Sequence, residues 1–212
     1  MNDFETKVHL VFDFYKCSRN RPIPIIVGDE TKGTLVPVTY YCRPEWVSLI
    51  CKWRSDNQIG FANLFENTEE KTKNWIDNIL LPRKDRILFM VYTMDSIPIG
   101  HLGFSSFNFE TQSCEIDNVV RGEKAIKKGL MRFAMQTIMT WGKQELGLKD
   151  IYLKVLSHNW HAVRFYRHLG FKTLHSIPLY RVEKEDMISW EPMEDPGGRI
   201  PEQYFLYMKL EE

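Results

Sequence analysis

Neither sign of charge is in excess in this chain: Lys plus Arg and Asp plus Glu each number 28. With no global field, nucleic acid and anionic membranes are not expected partners, since either would need a local patch. Cysteine is sparse and scattered. Cys17, Cys42, Cys51 and Cys114 include no C-x-x-C pair, so buried reduced thiols in a cytoplasmic setting are expected rather than a disulfide framework. No apolar run approaches the roughly 18–20 residues that cross a bilayer. The first residues, "MNDFETKVHL", carry acids and lack a basic segment followed by an apolar one, so no signal peptide is expected.

What is present suits a folded core. Hydrophobic residues make up 43% and aromatics 13% of 212 residues, enough for one sizeable domain. No internal repeat, low-complexity tract or linker interrupts the chain, so residues 1–212 are expected to form a single domain.

Residues 8–15 ("VHLVFDFY"), 23–27 and 34–41 look like strands, with "GDETKG" as a turn between the last two. Pro44-Glu45 opens a helix carrying Trp46, Leu49, Ile50 and Trp53 at helical spacing. "NQIGFANLFEN" reads as loop. Thr68 precedes a second amphipathic helix over 69–81, which Pro82 stops. "RILFMVYT", "IPIGHLGFSSF" and "SCEIDNVV" read as three consecutive antiparallel strands. A long helix at 128–146 follows, with Gly147 in the place of a C-terminal cap. Then come a strand ("IYLKVL"), a short helix over 160–169, a strand over 171–182, a Pro/Gly-rich loop ("EPMEDPGGRIPEQ") and a last strand, "YFLYMKL". This order predicts a mixed α/β fold: a mostly antiparallel central sheet with helices on both faces.

Two stretches carry chemistry. In "CEIDNVVRGEKAIKKGLMRFA" a strand gives way to a polar loop, and Gly129 opens the long helix. A helix N-terminus presents unpaired N–H groups and partial positive charge, which suits a phosphate. Lys124, Lys127 and Lys128 add local positive field; the competing reading is an ordinary solvated loop. In the strand itself, alternation places Cys114, Ile116, Asn118 and Val120 on one face. Ser113, Glu115, Asp117 and Val119 take the other. Two carboxylates on one face of a central strand are costly unless they border a wet cleft or find basic partners.

From residue 34 to 210 the chain resembles the GNAT superfamily of acyl-CoA-dependent N-acyltransferases, with residues 1–33 as an N-terminal extension. "IKKGLM" stands where the family's pyrophosphate loop, Gln/Arg-x-x-Gly-x-Gly/Ala, is found. Gly129 fits, whereas Ile126 and Met131 depart from the pattern. Asn159, Ala162, Tyr166, Gly170 and Phe171 in "SHNWHAVRFYRHLGF" have the spacing of the family's downstream motif. "CKWRSDN" resembles a segment of the branch that acetylates ribosomal proteins and amino sugars.

The resemblance implies acetyl-CoA as co-substrate, held by Val119, Val120, Arg121, Lys127, Lys128, Gly129, Leu130, Met131, Asn159 and Tyr166. It also implies a backbone N–H at Val119 for the oxyanion and Tyr166 as the partner of the departing sulfur. Packing alone is the competing reading of Tyr166. Glu115, and after it Asp117, are the candidate bases, directly or through water. An amine of pKa near 7.7 is already roughly 15% neutral at pH 7, and a lysine near 10.4 under about 0.1%. The need for a base therefore depends on the acceptor.

No metal is expected: His158, His161 and His168 cluster in sequence with no second set of ligands at metal-binding spacing. The acceptor expected from the resemblance is a small-molecule amine, with an amino sugar on a nucleotide first. A protein N-terminus, another small amine, or a non-catalytic acyl-CoA-binding domain are the alternatives. The first 33 residues are left with two roles, extending the sheet or making a homodimer contact.

Overall fold

The computed structural model describes residues 2–19 and 21–211. In chain order the elements are α1 (Asp3–Cys17), β1 (Ile23–Val27), β2 (Glu30–Pro37), α2 (Pro44–Asp56), β3 (Asn63–Phe65), α3 (Glu69–Trp75), β4 (Ile87–Thr93), β5 (Pro98–Asn108) and β6 (Ser113–Arg121). There follow α4 (Leu130–Trp141), β7 (Asp150–Leu156), α5 (Trp160–His168), β8 (Phe171–Lys184), β9 (Met187–Glu191) and β10 (Gln203–Leu210). Both α3 and α4 run on into a π-type turn, Ile76–Leu80 and Gly142–Leu146. The chain divides into two compact units, Met1–Asp56 with Thr68–Ile151, and Asn57–Asn67 with Tyr152–Glu212.

In the first unit the strands lie in the order β1-β2-β4-β5-β6, every neighbour antiparallel. His101 and Phe104 on β5 mark the two faces, because side chains alternate along a strand. Phe104 stacks on Trp141 of α4, with Phe89 and Tyr15 of α1 edge-on to the same indole. His101 instead faces Trp53 of α2. Helices therefore cover both faces of this sheet, as expected.

Residues 8–15, expected as a strand, are the body of α1. Asn2 caps it, accepting from the Glu5 N–H at 2.7 Å. The buried stripe is Phe4, Val8, Phe12 and Lys16, a spacing of four that ends on a cation. Lys16 is 1% exposed, and its ammonium donates to the carbonyls of Leu80, Leu81 and Arg83, closing the turn after α3. Burial lowers its pKa to about 8. The expected turn "GDETKG" is mostly strand, since β2 begins at Glu30.

The second unit is ordered β7-β10-β8-β9-β3, again antiparallel throughout. Two of its strands were not expected. β3 lies within the stretch read as loop and pairs with β9, through Asn63↔Ser189 to Phe65↔Met187. β9 is the return of a hairpin from the far end of β8. Gly170, at φ 96, turns the chain from α5 into β8 and accepts the Glu211 N–H.

Candidate functional site

The strand β6 is broken at one residue. Asn118 has φ 53, in the left-handed region that Asn tolerates better than most side chains. On either side the register reads Gly103↔Asp117 and His101↔Val120, so Asn118 and Val119 together stand opposite Leu102 alone. This is a β-bulge: one residue is extra, and the ladder is locally disrupted. By this register Val120 shares the face of Asp117, not that of Cys114 and Ile116. The alternation expected for this strand holds through Asp117 and inverts after the bulge.

Polar groups hold the bulge from both sides. Asp117 accepts the Asn118 N–H at 2.7 Å, the Asn118 side-chain amide at 2.8 Å and the Ser105 hydroxyl at 3.2 Å. Arg86 pairs with the same carboxylate at 3.3 Å. The Asn118 carbonyl faces the ring of His101, 2.7 Å from Nδ1. His101 is 2% exposed, and burial lowers its pKa to about 4, so the ring is neutral near pH 7. Its Nε2 has no partner among the described residues. An unsatisfied buried acceptor costs about 1–3 kcal/mol. Glu115 is half-buried, across from Ser105 on β5. Burial lowers the pKa of Arg54 while the charge of Asp117 raises it, which places a second guanidinium near that carboxylate.

Beyond β6 the loop is tied down. The N–H groups of Gly122 and Glu123 both reach the Ile99 carbonyl. The Arg121 guanidinium donates to the Lys124 carbonyl at 2.7 Å. The fully buried indole of Trp53 donates to Glu123 at 3.0 Å and lies so close to Gly122 that a Cβ there would sit 2.0 Å from the ring. Gly129 is the N-cap of α4 at φ 92, with no side-chain cap. The Leu130 N–H turns back to the Lys127 carbonyl, while Arg132 and Phe133 donate to that of Gly129.

The residues expected to hold a phosphate therefore divide. Leu130 and Met131 bury their side chains, at Gly33 and Gly100 respectively. Of Met131 a phosphate could meet only backbone, and the Leu130 N–H is already donated to the Lys127 carbonyl. Lys127, at φ 44, is exposed and pairs with Asp95 at 3.6 Å, and Lys128 is exposed. Glu115, Asp117, Val119, Val120, Arg121 and Gly129 all belong to this first unit.

Asn159 and Tyr166 belong to the second unit, on one helix. Asn159 is the N-cap of α5: its Oδ1 accepts the Ala162 N–H at 3.3 Å, and its Nδ2 lies against Gly60. Tyr166 is 8% exposed and sits between the rings of Phe165 and Phe171, at 5.5 and 6.1 Å. Within the same helix His161 stacks on Trp160, and His168 Nδ1 bonds the Arg164 carbonyl. No group of three His, Cys, Asp or Glu side chains among the described residues could hold a metal ion.

Sequence reading missed His101, Arg54 and Arg86. Their signals were a histidine inside an apolar strand, the arginine of "CKWRSDN" and the arginine that opens "RILFMVYT", none of which specifies a partner.

An acetyltransferase (GNAT) domain model matches residues 35–172. No curated protein matches the chain. Among solved structures, a mutant form of the spermidine/spermine N-acetyltransferase SpeG from Vibrio cholerae superposes with a TM-score of 0.59 at 16% identity, covering 84% of this chain and 93% of its own. A spermidine N-acetyltransferase SpeG chimera gives 0.60 at 16%, covering 85% and 95%. FdhC, a nucleotide-linked sugar GNAT, gives 0.57 at 17%, covering 76% and 86%. The structural matches share the fold, and the domain model spans well over half of the 212 residues: the chain belongs to the GNAT family of N-acetyltransferases.

Proposed function

We propose that this enzyme transfers an acetyl group from acetyl-CoA to the primary amine of an amino sugar carried on a nucleotide. The observation that carries the transfer chemistry is the Asn118 bulge. It interrupts the ladder just before the loop that leads into the uncapped, glycine-opened start of α4.

In this reading the N–H groups at that helix start, with Lys127 and Lys128, hold the pyrophosphate of the co-substrate. The Val119 N–H stabilises the oxyanion that forms as the amine adds to the thioester carbon. Glu115 removes the proton of the attacking nitrogen, directly or through water. Asp117 is occupied by the bulge and acts as its support rather than as the base. As the carbon–sulfur bond breaks, Tyr166 hydrogen-bonds the thiolate. Free Tyr and thiol pKa values near 10 and 8.5 make full transfer uphill by about 2 kcal/mol, so the proton moves late.

The acceptor rests on charge. The face that carries Glu115 and Asp117 also carries Arg86, and Arg54 lies close enough to Asp117 to feel its charge. The two guanidinium groups could give a nucleotide diphosphate charge-assisted hydrogen bonds, while the two carboxylates balance their charge. FdhC, described as a nucleotide-linked sugar GNAT, lends this reading support.

Thiol release from acetyl-CoA tests it, using UDP- and dTDP-linked amino sugars beside spermidine and N-terminal peptides. Release with a sugar nucleotide alone is expected. Release with spermidine alone would keep the chemistry and reverse the charge argument. Release with none, with acetyl-CoA still bound, would leave a binding domain without turnover.

A further inference from the structure

We propose that His101 is a positioning residue for acetyl transfer: its Nδ1–H holds the Asn118–Val119 peptide so that the Val119 N–H stays aimed at the thioester oxygen. This rests on the reading above that the Val119 N–H is the oxyanion donor.

The bond itself fixes the tautomer. A carbonyl oxygen only accepts, so the 2.7 Å contact with the Asn118 carbonyl requires the hydrogen on Nδ1. The carbonyl held by His101 and the N–H of Val119 belong to one peptide unit. No described peptide bond is cis, and in a planar trans unit the C=O and N–H point in opposite directions. Fixing the oxygen on one side therefore fixes the hydrogen on the other. A hydrogen bond accepted by the carbonyl also polarises the unit and strengthens its N–H as a donor.

The preceding peptide is held independently, by Asp117 on the Asn118 N–H. A residue at φ 53 in a disrupted ladder lacks the regular strand bonds that would otherwise orient it. Its two flanking peptides are held by two side chains from different strands.

The ring is suited to this single task. It is buried beside Trp53, with ring centroids 6.1 Å apart, so its orientation is set by packing. Its Nε2 has no partner among the described residues, so the described bond of the imidazole is the one to the bulge. A side chain present only to fill this space would need no nitrogen.

Two variants separate positioning from packing. His101→Asn can place an amide N–H near the position of Nδ1, and His101→Leu fills much of the volume without a donor. Removing an oxyanion-hole donor costs about 100- to 1,000-fold in kcat, and loosening one is expected to cost about 10- to 100-fold. The Leu variant should show that loss in kcat with little change in the KM for acetyl-CoA, and the Asn variant should recover most of it. Equal losses in both variants, or a Leu variant at wild-type kcat, would overturn the proposal.

NMR gives a readout that does not depend on turnover. The His101 ring nitrogens of the wild-type protein should report the Nδ1-protonated neutral tautomer, and an Nε2-protonated ring would overturn the proposal outright. The Val119 amide resonance should shift when acetyl-CoA is added, and shift less in the Leu variant. A Val119 amide indifferent to acetyl-CoA in the wild type would remove the oxyanion reading underneath. A shift that is equal in the wild type and the Leu variant would remove only the role of His101.

Discussion

Asp117 receives both the backbone N–H and the side-chain amide of Asn118, one carboxylate closed around the left-handed residue of β6. Replacing it by Ala also strands Arg86, whose side chain is only 18% exposed. Asp117→Ala is expected to lose about 2 kcal/mol of stability, which for a chain of this size lowers Tm by roughly 4–8 °C. Turnover should fall with it, since the bulge is what the carboxylate supports. Thermal melts check this, and a Tm within about 1 °C of wild type would show that the network contributes little.

Tyr166→Phe removes one hydroxyl and keeps the ring between Phe165 and Phe171. Its kcat should fall by about 100-fold or more, the usual range for a lost proton-transfer partner. Glu115→Gln should lower kcat too. Unchanged turnover in both would return these side chains to plain structural roles.

Gly129→Ala meets no neighbouring atom, because nothing lies within 4 Å of the added Cβ. Its cost comes from φ 92 alone, about 1–2 kcal/mol for a side chain held in that region. The loop should relax to avoid the strain. The expected result is a several-fold rise in KM for acetyl-CoA with kcat little changed, measured by steady-state thiol release.

Acid should destabilise the fold through His101. An unfolded histidine takes its proton near 6.5, whereas the buried ring resists until about 4. Between those values the unfolded chain binds more protons, so stability falls as pH drops from 6.5 to 4 and levels off below. The total is about 3 kcal/mol. Urea titrations across that window should show the slope, and His101→Asn should abolish its share.

Lys16 has the same sign in an alkaline window. Its folded pKa of about 8 lies below the ordinary 10.5, so the penalty for its buried charge applies below 8 and is relieved as pH rises to 10.5. Lys16→Met removes that slope and leaves the carbonyls of Leu80, Leu81 and Arg83 without their donor. A net loss of about 1–3 kcal/mol near pH 7 is expected, read from denaturant midpoints.

Much of this was legible in the chain. Gly129 and Gly147 were readable as helix boundaries because few other residues adopt the left-handed angles found there. Thr68 and Asn159 each accept the N–H three residues on, and both stand at the helix starts expected for them. The segment 8–15 misled because V-H-L-V-F-D-F-Y alternates loosely enough to pass for a strand. Its true stripe, Phe4 to Lys16, ends on a charged residue that no apolar pattern would include. β3 is too short to announce itself, and it is a strand by virtue of pairing with β9.

The bulge had no sequence signal of its own, and a histidine inside an apolar strand gave His101 no partner. Asn is common in strands' ends and turns alike, and only cross-strand register shows that two residues of β6 answer one of β5. The carboxylate pair was read on one face correctly, but what Asp117 binds depends on residues 12 and 31 positions away, Ser105 and Arg86.

The bulge also makes the site depend on a count of residues as much as on their identity. Val120, Arg121 and the loop they lead into face as they do because one extra residue precedes them. Deleting Asn118 or Val119 would let the ladder close in regular register and would rotate everything up to Gly129 by half a turn about the strand. Substitution scanning, which never alters spacing, would leave this dependence unseen, whereas a single-codon deletion would expose it at once.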